Sequence, residues 1–416
     1  MENVLEGNRR VRILFIPEWY PSKDGSSQVT GTFCREHVRG AALYDDVAVL
    51  AYSSRSQRWP TLTWECVNDC GVPTFYATYG HSPIPKTTFP FFYIHLWRAI
   101  RRAIREWGRP DVIHTQDSYA YYVMKAAQSF RVPVIISQHW TGFMRRQLNT
   151  RAVRRFRWAF ARAARVLPVN PKATADYAHY GLKAPITWLP NALDTKVFYP
   201  PLQPAREPWL LHASGLTGQK RFPDIVRAFA RVRAVRPDAE LHVAGNGNNC
   251  AEMVAIAKRE LPLGSTRFYG LLSKPDLAGL MRRACGFVFP SEAETFGCVL
   301  MEAMAFGCPV LTTQVGGIPA VVRKGEGLFV EVGNIDQIEE EMIRLLDGAH
   351  RLDMARISRE TRERFSHKSV GRILHEEHLR AATACAGAAL LPSHCSSGPE
   401  NSSKTKPSSA SEFYKR

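Results

Sequence analysis

Between Phe289 and Val322 the chain reads FPSEAETFGCVLMEAMAFGCPVLTTQVGGIPAVV, with carboxylates at Glu294 and Glu302. The apolar run ahead of Glu294 predicts a strand and the run after Phe296 a helix. Glu294 then sits in the loop and Glu302 about two turns into the helix, so both carboxylates can turn toward one cleft. A helix starting near Phe296 and Gly297 aims unpaired backbone N–H groups and its positive dipole end at that cleft. That suits a phosphate. A carboxylate beside it can accept hydrogen bonds from paired hydroxyls, as on a ribose or hexose, each contributing about 1.5–3 kcal/mol. The plainer alternative is that Glu294 only caps the helix and Glu302 lies on its solvated face.

A second loop, SGLTGQK from Ser214 to Lys220, follows an apolar run and precedes the helical pattern FPDIVRAFARVRAV. Gly215 and Gly218 permit a tight turn, and Lys220 stands where a cation would meet a diphosphate. The loop lacks the GKS or GKT ending of a phosphate-binding ATPase loop. Gly31 and Thr32 follow the first apolar run, where a glycine lets the backbone approach a phosphate closely; a simple turn glycine is the other reading. His139 follows VIISQ directly, at the strand edge where ligands of parallel sheets gather, although a lone histidine there is often structural. His114 is expected to pack inside.

These loops need sheets to hold them. Short β-branched runs alternate with helical patterns in two series, the signature of parallel α/β domains. The first series is Arg12 to Ile16, Val47 to Ala51, Val112 to His114, Val134 to Ser137 and Val166 to Val169. The second is Trp209 to Ala213, Ala239 to Ala244, Thr266 to Tyr269, Gly286 to Phe289, Val310 to Thr312 and Leu328 to Val330. At 416 residues the chain is too long for one core, which stops growing near about 250–300 residues. Two doubly wound domains facing across a cleft are expected, residues 1–200 and 201–389, with the last helix packing back on the first. The proline-rich YPPLQPAREP (Tyr199 to Pro208) joins them, since it cannot continue a helix or a central strand. Residues 390–416, rich in Ser, Pro and Lys, read as a disordered tail.

Lys and Arg number 55 against 38 Asp and Glu, a formal charge of +17, which favours anionic partners. From Ser118 to Ala175 there is no acidic residue. Just upstream, TTFPFFYIHLW runs into Arg98, Arg101, Arg102 and Arg105, a pairing of aromatics and cations that suits an anionic membrane surface. The alternative has Phe91, Phe92 and Leu96 filling the core beneath a solvated basic face. No zinc-finger or RNA-recognition motif supports nucleic-acid binding. Nine scattered cysteines without paired CxxC spacing suggest a reducing compartment. Val11 to Ile16 is too short for a signal-peptide core. A cytoplasmic protein, at most peripheral on the inner face of the membrane, is expected.

The string holding Glu294 and Glu302 resembles the signature of retaining glycosyltransferases of family 4, whose two facing Rossmann-like domains make the GT-B fold and whose two glutamates flank seven residues. RILFIPEWYPSKDGSSQVTGTF, PDVIHTQ, PVIISQH and LPNALDTKVF resemble further segments of that family, in order, over some 360 residues. The resemblance implies sugar transfer from a nucleotide donor to a saccharide acceptor, lipid-linked or free, with retained configuration and no essential metal or other cofactor. No Asp-x-Asp of the metal-dependent alternative is present; Glu292 and Glu294 make only a Glu-x-Glu. It implies that Lys220 and Glu294 act in catalysis with His139 beside the donor sugar, and that Gly31, Thr32, Gly215, Phe296, Gly297 and Glu302 bind the donor. Gly215 stands where the family commonly has an arginine, leaving the leaving group to Lys220 and the helix start. A sugar-nucleotide epimerase of the same architecture, or a sugar-nucleotide-binding protein with weak turnover, are the alternatives.

Overall fold

The computed structural model describes residues 10–23, 31–55, 62–80, 88–200 and 206–388. The tail expected at 390–416 lies outside them, as does half of the proline-rich join.

Seven strands, β1 (Arg12–Ile16), β2 (Asp46–Arg55), β3 (Leu62–Asp69), β4 (Val72–Gly80), β5 (Val112–Gln116), β6 (Val134–Gln138) and β7 (Arg165–Pro168), form the first sheet in the order β3-β4-β2-β1-β5-β6-β7. All its pairings are parallel except β3 with β4. The second sheet is wholly parallel, order β10-β9-β8-β11-β12-β13, from β8 (Glu207–Ala213), β9 (Glu240–Ala244), β10 (Thr266–Phe268), β11 (Ala284–Phe289), β12 (Val310–Thr312) and β13 (Leu328–Phe329). Helices α1 (Thr32–Ala42), α2 (Thr88–Trp107), α3 (Ala120–Phe130), α4 (Thr150–Phe160) and α5 (Ala173–His179) serve the first sheet. The second has α6 (Phe222–Val235), α7 (Cys250–Glu260), α8 (Lys274–Arg283), α9 (Cys298–Ala305), α10 (Ile318–Val321) and α11 (Ile335–Leu346), and α12 (Met354–Phe365) and α13 (His367–Ala388) follow. Continuous apolar strands such as VLAY and VIIS are buried on both faces, as parallel strands under two helical layers must be.

Two strands were not expected. LTWECVND alternates half-buried residues, among them Leu62 and Trp64 packed against the core, with exposed ones, so no continuous apolar run marks it. It pairs antiparallel with β4 through a tight turn at Cys70 and Gly71, both with positive φ (55° and 88°), the geometry of a two-residue hairpin. Nor does the proline-rich stretch end before the strand: β8 starts at Glu207, and Pro208 sits where the register against β11 shifts between Ala284 and Gly286. A strand start at a bulge needs no N–H from proline.

The chain crosses back at its end. Leu193 N–H donates to Phe365 O (2.7 Å), and α13 then lies on α1, burying Val370, Leu374 and Ala381 in one cluster with Val11, Ile13 and Val38. Buried hydrogen bonds tie it down: His378 Nε2 meets His114 Nδ1 (2.9 Å), while His378 Nδ1 (3.0 Å) and His375 Nδ1 (2.6 Å) both reach Asp45. Gly371 faces Gly40 where the helices cross; a Cβ on Gly371 would stand 2.1 Å from Gly40 O. Gly371→Ala must push the helices apart and is expected to cost about 1–3 kcal/mol, read as a lowered urea midpoint with unchanged m-value.

Candidate active site

In each sheet the strand order reverses at one point, between β1 and β5 in the first and between β8 and β11 in the second. Loops at the carboxyl ends of those strands diverge and leave a crevice. The segments after β1, β5 and β6 (Trp19, Asp117, His139) and after β8 and β11 (Lys220, Glu294) all leave the sheets there. An open cleft of about 290 Å³ is lined from the first domain by Trp19, Phe33, His139 and Trp140, and from the second by Glu294, Thr295, Gly297 and Cys298.

Lys220 meets Glu294 beside this crevice, which Glu294 lines and Lys220 does not. Lys220 Nζ lies 2.5 Å from Glu294 Oε2, both side chains being mostly buried, and 4.9 Å from the Phe289 ring centroid. Three hydrogen bonds to backbone carbonyls hold the pair. Glu292 N–H and Ser291 Oγ donate to Gln219 O (2.9 and 3.0 Å), locking the Lys220 loop onto the Glu294 loop. Gly317 N–H donates to Glu294 O (3.0 Å), and Cβ atoms on Gly316 or Gly317 would stand 2.0 Å from the carbonyl oxygens of Glu294 and Thr295. The paired glycines thus let one loop press against the other. A Cβ on Gly215 would have Asn246 O and Thr217 Cγ2 near it at 4.0 Å, ordinary contacts that leave room for a side chain; Arg145 of the first domain reaches across to Gln219 Oε1 (3.3 Å).

The α9 start differs in detail from expectation. Gly297, with φ 94°, caps a helix that begins at Cys298, so Glu302 is its fifth residue, a little over one turn in. Glu302 is 6 % exposed and is not among the cleft-lining residues. It pairs with Lys274 Nζ at 3.2 Å. Burial pushes its carboxyl up, against the pull of Lys274. Phe296 lines the cleft through its backbone, because its ring is buried against Phe365 (5.7 Å).

In the first domain, Gly31 (φ 76°) precedes Thr32 at the α1 start, beside the cleft-lining Trp19 and Phe33 but not itself among the lining residues. A Cβ there would stand 2.5 Å from the Trp19 carbonyl, so the fold itself requires this glycine. His139 packs against Phe33 (4.5 Å) and His37 (5.6 Å), and neither of its ring nitrogens has a hydrogen-bond partner. Asp117 positions it. Its Oδ1 accepts the N–H groups of His139 (2.8 Å) and Trp140 (3.1 Å), and its Oδ2 lies 3.7 Å from His139 Nδ1. Asp117 is buried with φ 42°, a strained conformation of the kind kept at sites; nothing in the sequence marked it. Glu18 accepts both the N–H and the hydroxyl of Ser118 (2.7 Å each), and burial beside Asp117 pushes its carboxyl up to about 7. Asn191 Oδ1 and Thr295 Oγ1 are buried without partners. These open hydrogen-bonding atoms facing a cation, a carboxylate and a helix start can hold a polyhydroxyl group joined to a diphosphate. His114 packs inside, bonded to Ser137 Oγ (2.6 Å) as well as His378.

Two family models match consecutive parts of the chain: Glycosyltransferase Family 4 over residues 35–197 and Glycosyl transferases group 1 over residues 198–367. The chain is 29% identical to a glycogen synthase of Mycobacterium tuberculosis over 211 residues, 48% of this chain and 50% of that protein. It is 32% identical to N-acetyl-alpha-D-glucosaminyl L-malate synthase of Bacillus anthracis over 138 residues, 33% of this chain and 35% of that protein. The chain thus spans about half the length or less of these curated relatives. Its fold is shared with sucrose-phosphate synthase from Thermosynechococcus elongatus (TM-score 0.73, 19% identity, 90% of this chain and 100% of that one). Anabaena Alr3699/HepE, solved in complex with UDP and glucose, also shares it (TM-score 0.69, 15% identity, 88% and 99%). With its two parallel-sheet domains and both halves matched, the chain belongs to the group 1, family 4 glycosyltransferases of GT-B fold.

Proposed function

We propose that this glycosyltransferase moves a sugar from a nucleotide-sugar donor to a lipid-linked saccharide acceptor, with retention and without an essential metal, in the assembly of a surface polysaccharide or glycolipid. The observation that carries it is the Lys220–Glu294 pair held at the α9 start and facing His139 across the cleft. Breaking the bond from sugar to diphosphate builds negative charge on the departing phosphate, which prearranged cations and N–H groups must meet. Lys220 and the Gly297 end of α9 meet it from one side and the Gly31 loop from the other. Glu294 and His139 position the sugar, and Glu302, released from Lys274, grips the ribose. Among the described residues no helix is long and apolar enough to cross a membrane. Membrane contact is therefore assigned to the exposed Arg98, Arg101 and Arg105 of α2; Leu96 is fully buried and Phe92 packs against the core.

Incubation with a panel of sugar nucleotides, with and without lipid extracts, tests the activity. Nucleotide release that depends on the extract supports transfer; an isomerised donor would make the protein an epimerase, and binding without product a sugar-nucleotide-binding protein. Flotation with anionic and neutral vesicles tests docking, and equal recovery in the soluble fraction with both would end it. Glu302→Ala is expected to weaken donor binding about tenfold, about 1.4 kcal/mol, measured by calorimetric titration.

A further inference from the structure

Among the described residues lining the cleft there is no lysine or arginine, and Glu294 is the one carboxylate. The first domain contributes aromatic residues instead: Trp19, Phe33 and Trp140. Trp19 and Phe33 are half-buried, whereas Trp140 keeps 37% of its surface open. The chain holds this indole in place. A Cβ on Gly142 would stand 2.7 Å from Trp140 Cε2, 2.8 Å from Cζ2 and 2.9 Å from Cδ2. Cε2 is a ring-fusion atom whose three bonds fill the ring plane, so Gly142 lies against the face of the indole, and a residue with a side chain would push the ring away. Phe143 (6.2 Å) and Phe156 (6.4 Å) brace it, and Asp117 Oδ1 accepts its backbone N–H (3.1 Å).

The turn that carries Trp140 also touches the second domain. Arg145 bonds Gln219, and Met144 Sδ would lie 2.8 Å from a Cβ on Gly316. Around the indole, the same cleft holds buried polar atoms without partners: both ring nitrogens of His139, Asn191 Oδ1 and Thr295 Oγ1. Asn191 is only 4% exposed. An open ring face edged by unpartnered hydrogen-bonding atoms, with no cation among them, matches one chemical class. A pyranose carries hydroxyls around its rim and, on its face, C–H bonds polarised by neighbouring oxygens, which are drawn to the negative face of an aromatic ring. A hydroxy acid or a phosphorylated sugar would find no cation lining the cleft and would meet Glu294.

We propose that Trp140 is the platform of an acceptor subsite, on which an uncharged pyranose ring of the saccharide acceptor stacks beside His139. The donor is held through its diphosphate by Lys220 and the α9 start of the second domain, which leaves the first-domain wall to the acceptor. The proposal rests on the transfer reading above, but its first test does not require turnover. Methyl glycosides of glucose, galactose, mannose and N-acetylglucosamine are titrated into the full-length protein and its Trp140→Ala and Gly142→Ala variants. Sorbitol, which has the hydroxyls without the ring, and methyl glucuronide, which has the ring with a charge, are parallel arms. Saturation-transfer NMR reads which sugar protons touch the protein, and circular dichroism like the wild type's reports that each variant is folded. At least one neutral glycoside is expected to bind about tenfold or more tighter than sorbitol or the glucuronide, with saturation on one ring face. Trp140→Ala weakens it at least about tenfold, and Gly142→Ala, which tilts the indole without removing it, at least about threefold. Unchanged binding in Trp140→Ala, sorbitol binding as tight as the glycosides, or no glycoside binding would overturn the proposal. With the substrates found by screening, Trp140→Ala raises the acceptor KM at least about tenfold and leaves the donor KM within about twofold; the reverse would place the donor sugar on Trp140 and overturn the acceptor assignment. Absence of transfer to every acceptor would refute the transfer reading, while the glycoside titrations would still decide the platform.

Discussion

Lys220→Ala lowers kcat/KM about a hundredfold, because loss of one prearranged group at a developing charge costs about 2.7–4 kcal/mol. Glu294→Ala lowers it at least tenfold, about 1.4 kcal/mol. The two losses do not add. Their charged atoms are 2.5 Å apart, so removing either leaves the other without its partner in a mostly buried setting, and residues in such contact couple by about 0.5–3 kcal/mol. The double variant is therefore expected to be little worse than Lys220→Ala alone. Steady-state kinetics with the donor found by screening checks this. Wild-type kcat/KM in a folded Lys220→Ala or Glu294→Ala protein would remove both residues from the chemistry.

Acid weakens the fold already in the range where free histidines take up protons. Burial holds His37 down to about 3, His212 down to about 4, and His114 well below the usual histidine range. An unfolded chain binds protons at these positions below about pH 6.5 while the folded one does not. Stability is therefore full above that pH and falls as pH drops, by about 2 kcal/mol at pH 5 for each of His37 and His212, with His114 acting in the same direction. Glu18 has the opposite sign. Its folded carboxyl, pushed up to about 7, takes its proton before the unfolded chain does and returns about 2 kcal/mol over the same range. The buried histidines outnumber Glu18, so the fold is expected to be less stable at pH 5 than at pH 7.5. Urea midpoints at the two pH values check it; equal midpoints would mean that these histidines are not held neutral.

The parts of the molecule written in runs were readable beforehand. Eleven strands announce themselves as short apolar segments between helical patterns because parallel strands are buried on both faces. β3 and β4 escape because more and less buried residues alternate along them, Leu62 and Trp64 of β3 facing the core between exposed neighbours, so neither shows a continuous apolar run. The string around Glu294 is legible through its resemblance to the family 4 signature, because the residue types alone also allow Glu294 to act only as a helix cap. Asp117 could not be read. Its role depends on a left-handed backbone and on two N–H groups more than twenty residues later, and no local pattern encodes either. The burial of Glu302 was equally hidden, because Lys274, the partner that keeps it inside, comes from a different helix.

The crossing of α13 over α1 sets where the protein can be cut. Residues 1–200 expressed by themselves would present the greasy stripe of Val38 and Val11 to water, and residues 201–416 would carry an unclaimed helix bearing Val370 and Leu374. Two soluble halves should result only when the segment from His367 onward is supplied together with the amino-terminal piece, for instance through a short fused tether. A split made that way would leave the nucleotide-facing half free to be studied alone.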